Sequence, residues 1–264
     1  LSSRVEQLWY SRNNAYWLLM PLAWLYGVIT ALRRFLFRIG LKRQHKLPRP
    51  VIVVGNISVG GTGKTPFTLL LCQLLRQQGW QPGIVSRGYG AKIERPTLVT
   101  AASRAQDIGD EPLLLAQRSG CPVVVCPDRV AAAQYLLETT DCDIVISDDG
   151  LQHFALPRTV EIVVLDADRG LGNGRCLPAG PLREPPSRLD HVDFVVLNGR
   201  PDVRWPTAQV MVLQPDDPVN LKTGELSNKK LAVEAINPSY ITFSSDKKQL
   251  YSVGEVDNFE GTKS

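Results

Sequence analysis

The 264-residue sequence contains no C-x-x-C pair, and its cysteines (Cys72, Cys121, Cys126, Cys142 and Cys176) are odd in number. A zinc ligand set and a disulfide framework are both poorly supported by that pattern. Cys72, Cys126 and Cys142 stand within apolar runs, where cysteine acts as a small buried hydrophobe, and a reducing cytosolic setting suits them. Acidic residues are nearly missing from the first 50 positions, where Glu6 faces nine Lys/Arg. The whole chain carries +4, so the remainder is net acidic. This asymmetry predicts an anionic partner for the N-terminal segment, while the non-basic body excludes a general nucleic-acid binder. No internal repeat is present. With 44% hydrophobic and 21% charged residues, general disorder is excluded too. The length suffices for one sizeable core, or a core plus a small second lobe. Nothing in the composition implies a protein partner.

Charge is wholly absent from Ala15 to Leu32 (AYWLLMPLAWLYGVITAL), a run bracketed by Arg12 and by Arg33-Arg34. Eighteen residues are near the lower limit for crossing a bilayer. The Trp and Tyr residues in and around the run suit the headgroup level. Pro21 is expected to kink or interrupt a continuous helix. A cleaved signal peptide needs a small-residue site after the run, and Arg33-Arg34-Phe35-Leu36 supplies none. A transmembrane span, a helix lying in the interface with its basic residues against lipid phosphates, and a buried core helix are the remaining readings. A membrane-embedded or membrane-lying helix accounts best for the aromatics and the basic flank together.

After Pro48-Arg49-Pro50 the pattern becomes short apolar runs alternating with helical stretches. Strands are predicted at Val51–Asn56, Gly83–Gly90 (ending in a glycine loop), Pro122–Cys126, Ile144–Ser147, Glu161–Asp166, Phe194–Gly199 and Gln209–Gln214. Helices are predicted at Thr65–Gln78, with Pro66 in the first turn, at Glu111–Ser119, and from an Asp128 cap to about Glu138. Val/Ile/Leu strands without polar alternation are buried on both faces. They therefore predict an α/β fold with a largely parallel sheet flanked by helices, and ligands at the carboxyl ends of its strands.

Ser58-Val59-Gly60-Gly61-Thr62-Gly63-Lys64-Thr65 follows the first predicted body strand and opens a helix. Glycines let backbone N–H groups wrap phosphate oxygens, and the helix N-terminus adds partial positive charge. In such a phosphate-binding loop Lys64 pairs with the β- and γ-phosphates and the Thr65 hydroxyl ligates Mg²⁺. Ser58 stands where the usual pattern has glycine. CDIVISDDG (Cys142–Gly150) is an apolar strand ending in carboxylates, so Asp148 or Asp149 can hold Mg²⁺ directly or through water. His153 can contact phosphate or orient a carboxylate. Asp110 and Glu111 stand at a helix start, either as capping acids or as a base for an incoming hydroxyl and a metal-associated acid. The loop Ser86-Arg87-Gly88-Tyr89-Gly90 presents a strand-end arginine to an anionic group, and Arg183 is placed to stabilise a transferring phosphoryl group. A solvated surface residue is the alternative reading for either arginine.

PLAWLYG, VGNISVGGTGKTP, VSRGYG, GDEP, DDGLQH, NGRCLPAGPLRE and VNLKTGEL, in that order, resemble the tetraacyldisaccharide 4′-kinases of lipid A biosynthesis over roughly residues 7–226. The resemblance implies transfer of the ATP γ-phosphate to the 4′-hydroxyl of a tetraacyldisaccharide 1-phosphate, giving lipid IVA. It also implies Mg²⁺ as cofactor and the cytosolic face of the Gram-negative inner membrane as the place of work. By motif it implies Lys64 and Thr65 at the nucleotide phosphates and Mg²⁺, and Asp110 as base. Glu111, Asp148, Asp149 and Glu184 become metal-site candidates, and Arg87, Tyr89, His153 and Arg183 phosphate or substrate contacts. The expected organisation is a membrane-associated helical segment (1–48), a P-loop kinase domain (49–226) and a tail outside the family (227–264). Family motifs expected beyond Leu226 are replaced by a stretch from Ala235 that resembles the first blade of a lactonase-type β-propeller. That change predicts a poorly ordered tail and a truncated or fused reading frame, with a catalytically impaired, membrane-bound remnant as the alternative outcome. Leu1 in place of Met fits an incomplete or alternatively started product.

Overall fold

The computed structural model describes residues 3–10 and 14–213, together with three short strands at 233–236, 239–243 and 250–254. Its centre is a sheet in the order β3-β4-β2-β5-β1-β6-β7-β8-β9. The strands are β1 (Val51–Gly55), β2 (Pro82–Ser86), β3 (Thr97–Leu98), β4 (Val123–Val125), β5 (Ile144–Asp148), β6 (Val160–Asp166), β7 (Phe194–Asn198), β8 (Gln209–Leu213) and β9 (Val233–Ile236). Pairing from β4 through β8 is parallel, and β3 and β9 add antiparallel edges. A separate antiparallel pair joins β10 (Ser239–Phe243) to β11 (Leu250–Gly254). The expected α/β class and parallel sheet are what the chain adopts.

The lack of polar alternation has a direct structural cause. Every residue of β1, β2 and β5 is buried. Successive β1 side chains enter opposite cores: Ile52 and Val54 meet α3 (Lys64–Gln77) and α5 (Asp110–Ser119) on one face. Val51 and Val53 join α6 (Arg129–Thr139) and the 151–156 segment on the other. A polar residue at any of these positions would lose its water on either face, so both sets must be apolar. Asp128 caps α6 as expected, accepting from the Val130 and Ala131 N–H groups. Cys72, Cys121, Cys126 and Cys142 are free and buried.

Three local features depart from the sequence reading. A short helix, α4 (Ala105–Ile108), precedes α5, and Gly109, at φ +94°, separates the two. The edge strand β3 carries no run of apolar residues long enough to announce it. Pro21 does not kink a helix: a 3₁₀ segment, Asn14–Leu19, ends just before α2 (Met20–Arg38), so the proline occupies the first turn, where its missing N–H costs nothing. The preceding α1 spans Ser3–Tyr10. The sequence expectations for the tail fall mainly outside the described residues.

Candidate active site

The carboxyl ends of β1, β5, β6 and β7 converge on the turn between β1 and α3. Residues 56–63 leave β1 and deliver Lys64 as the first residue of α3. Gly60 (φ +115°) and Gly63 (φ +88°) hold backbone angles that L side chains rarely adopt. At Gly63 an added Cβ would also lie 2.5 Å from Asn198 Nδ2. The loop is braced from within and from outside. Asn56 Nδ2 donates to the Gly60 carbonyl (3.4 Å) and the Thr62 hydroxyl (3.3 Å), and Asn198, at the end of β7, donates to the Thr62 carbonyl (3.3 Å). The Val59 N–H donates to the Pro181 carbonyl (2.8 Å), and the Arg183 N–H donates to the Ile57 carbonyl (2.7 Å). Ser58 thus forms an antiparallel bridge with Leu182, a strand-like role that glycine would fill poorly.

Beside this loop β5 ends in two carboxylates with opposite properties. Asp148 is buried and accepts from the Thr68 hydroxyl (3.3 Å). Burial first, then the nearby Glu111 and Asp149 charges, raises its pKa to about 6. Asp149 turns out of the strand at φ +48° and lies 3.6 Å from Lys64 Nζ and 3.4 Å from Arg183 Nη1. Burial pushes its carboxyl up, but Lys64 and Arg183 together outweigh that and hold it below the usual carboxylate range. Lys64, Asp149 and Arg183, drawn from three distant parts of the chain, therefore form one charge cluster at the mouth of the loop.

His153 stands next to this cluster, with its pKa lowered to about 4 by burial and by the charges of Arg129, Arg87 and Arg33. It is neutral near pH 7. Asp110 and Glu111 open α5 as exposed residues, and Asp110 makes no capping bond because Gly109 is the cap residue. Gly109 lies against the Arg87–Gly90 loop: a Cβ there would meet the Tyr89 carbonyl at 2.9 Å. The GDEP and SRGYG motifs are thereby neighbours, and Tyr89 projects into solvent at 84% exposure. Glu184 is different. Its Oε1 accepts from Gln152 (3.0 Å), and its Oε2 faces Arg188 (3.2 Å) and Arg34 (3.5 Å), so both oxygens are already engaged.

Sequence reasoning passed over Arg129, Asn56, Asn198 and Thr68. Arg129 is 2% exposed and donates to the carbonyls of Asp148 (2.9 Å) and Cys126 (3.3 Å). Burial lowers its pKa to about 10, so it stays cationic beneath the Asp148-Asp149 turn. Asn198 ends its strand as Asp148 ends β5, and that strand-end placement was the available signal.

The N-terminal helices rest on the same loop system. Trp9 Nε1 donates to the Pro178 carbonyl (3.0 Å), and Tyr26 Oη donates to the Arg183 carbonyl (3.2 Å). Met20 and Ala23, the buried residues of α2, pack on Ala179. The rest of α2 is uncovered: Leu22, Trp24, Leu25, Val28, Ile29, Leu32 and Phe35 are each more than half exposed. Residues Tyr16–Arg38 are long and apolar enough to cross a membrane, and only 11% of an 18-residue apolar stretch within them is buried. A soluble core helix would be covered, and the described residues leave this one largely uncovered.

Comparison with known proteins places this arrangement. The sequence model of the tetraacyldisaccharide-1-P 4′-kinase family matches residues 15–242. A tetraacyldisaccharide 4′-kinase of Shewanella sp. (strain MR-7) is 56% identical over 197 residues, covering 75% of this chain and 59% of that protein. One from Shewanella baltica (strain OS185) is 45% identical over 266 residues, covering 98% of this chain and 78% of the relative. The crystal structure of the Aquifex aeolicus family member in complex with ATP superimposes with a TM-score of 0.67 at 34% identity, over 75% of this chain and 64% of that one. The chain belongs to the tetraacyldisaccharide-1-P 4′-kinase family. It spans 59% of the length of the Shewanella MR-7 relative. The match does not stop near Leu226, as the sequence motifs suggested, since the family model runs on to residue 242.

Proposed function

We propose that this family member transfers the γ-phosphate of ATP to the 4′-hydroxyl of a tetraacyldisaccharide 1-phosphate, at the cytosolic surface of the inner membrane of a Gram-negative cell. The observation that supports the reading is the contact chain from the glycine-rich turn through Pro181–Arg183 to α2, which sets that turn against an uncovered apolar helix. A water-soluble acceptor would not need that neighbour; an acyl-chain-bearing one does.

The loop fits a polyphosphate. Its two left-handed glycines leave backbone where side chains would intrude, and Lys64 stands at the start of α3, where the helix dipole also favours anions. Thr65, Asp148 and Asp149 offer the hard oxygen donors that Mg²⁺ takes in ones and twos alongside phosphate oxygens. The engaged oxygens of Glu184 leave it to position Arg34 and Arg188 instead of joining that set. Glu111 acts on the donor set at longer range through its charge. When bound, Mg²⁺ offsets phosphate charge and orients the γ-phosphoryl group.

Lys64, released from Asp149 toward the phosphates, and Arg183 stabilise the charge of the transferring group. Asp110, exposed and uncapped at the start of α5, takes the proton of the 4′-hydroxyl as the new O–P bond forms and the bond to the β-phosphate oxygen breaks, leaving ADP. Arg87, Tyr89 and neutral His153 line the approach of the acceptor and its phosphate. Residues 1–48 act as the membrane-associated segment and the body from residue 49 as the kinase domain.

The test is incubation of the full chain with MgATP and the tetraacyldisaccharide 1-phosphate in mixed micelles, followed by mass spectrometry and NMR of the lipid. The expected product bears one added phosphate at the 4′-oxygen, and an acceptor lacking that hydroxyl is not consumed. ATP hydrolysis with no phosphorylated lipid would reject the proposal.

A further inference from the structure

The C-terminal third of α2 closes one side of a cavity, about 390 Å³ in volume, whose other walls are the 154–161 segment and the 3₁₀ turn Pro186–His191. Phe35, Phe37 and Phe154 supply apolar wall, and the Phe37 and Phe154 rings lie 5.9 Å apart. The polar lining is dominated by four arginines. Arg158 and Arg188 both pair with Glu161, while Arg188 and Arg34 share Glu184. Four guanidinium groups thus face two carboxylates. Arg38 is exposed at the mouth and has no acidic partner among the described residues. Leu32, Phe35 and Ile39, about half exposed, carry the apolar face of α2 up to that mouth.

Apolar walls beneath a surplus of guanidinium charge complement a molecule with an acyl chain and a phosphate on one backbone. A bare anion would leave the phenyl walls unused, and an uncharged lipid would leave the arginines uncompensated. We propose that this cavity binds one anionic glycerophospholipid of the surrounding bilayer, its phosphate on Arg38 and Arg34 and the start of an acyl chain against Phe35 and Phe37. The site is separate from the phosphate loop, and it fixes the rotation of α2 in the membrane surface as well as its attachment. The inference rests on the reading of α2 as a membrane helix, and it does not depend on phosphotransfer.

The test is a calorimetric titration of the full chain, without nucleotide or acceptor, with dihexanoyl phosphatidylglycerol below its micelle concentration. One saturable site is expected. Arg38→Glu should weaken it about tenfold, the loss of one charge-assisted contact, and Phe35→Ser should weaken it as well. Leu25→Ser, on the uncovered face away from the cavity, should keep that affinity while losing attachment to phosphatidylglycerol vesicles. Unchanged affinity in Arg38→Glu would overturn the proposal. So would an equal loss in Leu25→Ser, which marks general apolar contact, or competition by inorganic phosphate, which marks a site for bare anions. Because the readout is lipid binding alone, a failure of the kinase reading leaves each outcome interpretable.

Discussion

Gly63 carries two constraints at once, a left-handed backbone and the Asn198 amide lying where a Cβ would go. Gly63→Ala should cost about 1–2 kcal/mol from the backbone alone, read as a shift in urea unfolding, and should weaken MgATP binding. Asn198→Ala in the same chain removes the overlap but not the strain, so the double variant should recover part of the loss. Asp148 and His153 give opposed pH dependences. With its folded pKa raised to about 6, Asp148 keeps a proton that the unfolded chain has already lost, so its contribution to stability falls as pH rises from about 4 through 6. His153, lowered to about 4, is neutral when folded and protonated when unfolded, so its contribution falls as pH drops from about 6.5 through 4. Melting temperatures of Asp148→Asn and His153→Gln across pH 4–7 should therefore depart from the parent chain with slopes of opposite sign. On the proposed role of Asp148 at Mg²⁺ its carboxyl must be ionised, so kcat/KM for ATP should rise through about pH 6. Lys64 and the β5 carboxylates were legible in sequence because glycine spacing and strand-end acids have few other uses together. Arg129 was not, because a buried arginine holding carbonyls leaves no pattern beyond its own letter.

Helix α2 is the element whose chemistry and packing disagree most if water is the only solvent. Its residues Trp24 and Leu25 are 64% and 58% exposed, whereas Met20 and Ala23 alone are buried. Moving each such large side chain out of water is worth about 1.5–3 kcal/mol. A Trp24→Glu/Leu25→Glu double variant should therefore reduce co-sedimentation with phospholipid vesicles by more than tenfold, with MgATP affinity unchanged. The apolar run announced this helix, but its true start did not follow from the run. Pro21 reads as a kink in an 18-residue stretch and as an ordinary first-turn residue once the chain enters α2 from a 3₁₀ segment. Likewise α4 was hidden because four residues hold no periodicity, and only the positive φ of Gly109 separates it from α5.

For the molecule as a whole, the parallel sheet was readable because burial on both faces forces uninterrupted Val/Ile/Leu runs, and the carboxyl-end location of the site follows from that sheet. What the sequence could not supply was the long-range bracing: the pairing of Ser58 with Leu182, or the seat of α2 on Ala179, depends on loops with no repeat and no period. These contacts join the glycine-rich turn after β1 to the uncovered apolar helix α2, and the proposed function depends on that turn gripping a nucleotide. The most direct measurement is a calorimetric titration of the full chain and its Lys64→Ala variant with MgATP, paired with amide hydrogen exchange. Saturable binding with slowed exchange at residues 58–65, lost or weakened at least tenfold in the variant, is the predicted result. Equal binding by both proteins, or no protection of that turn, would contradict it.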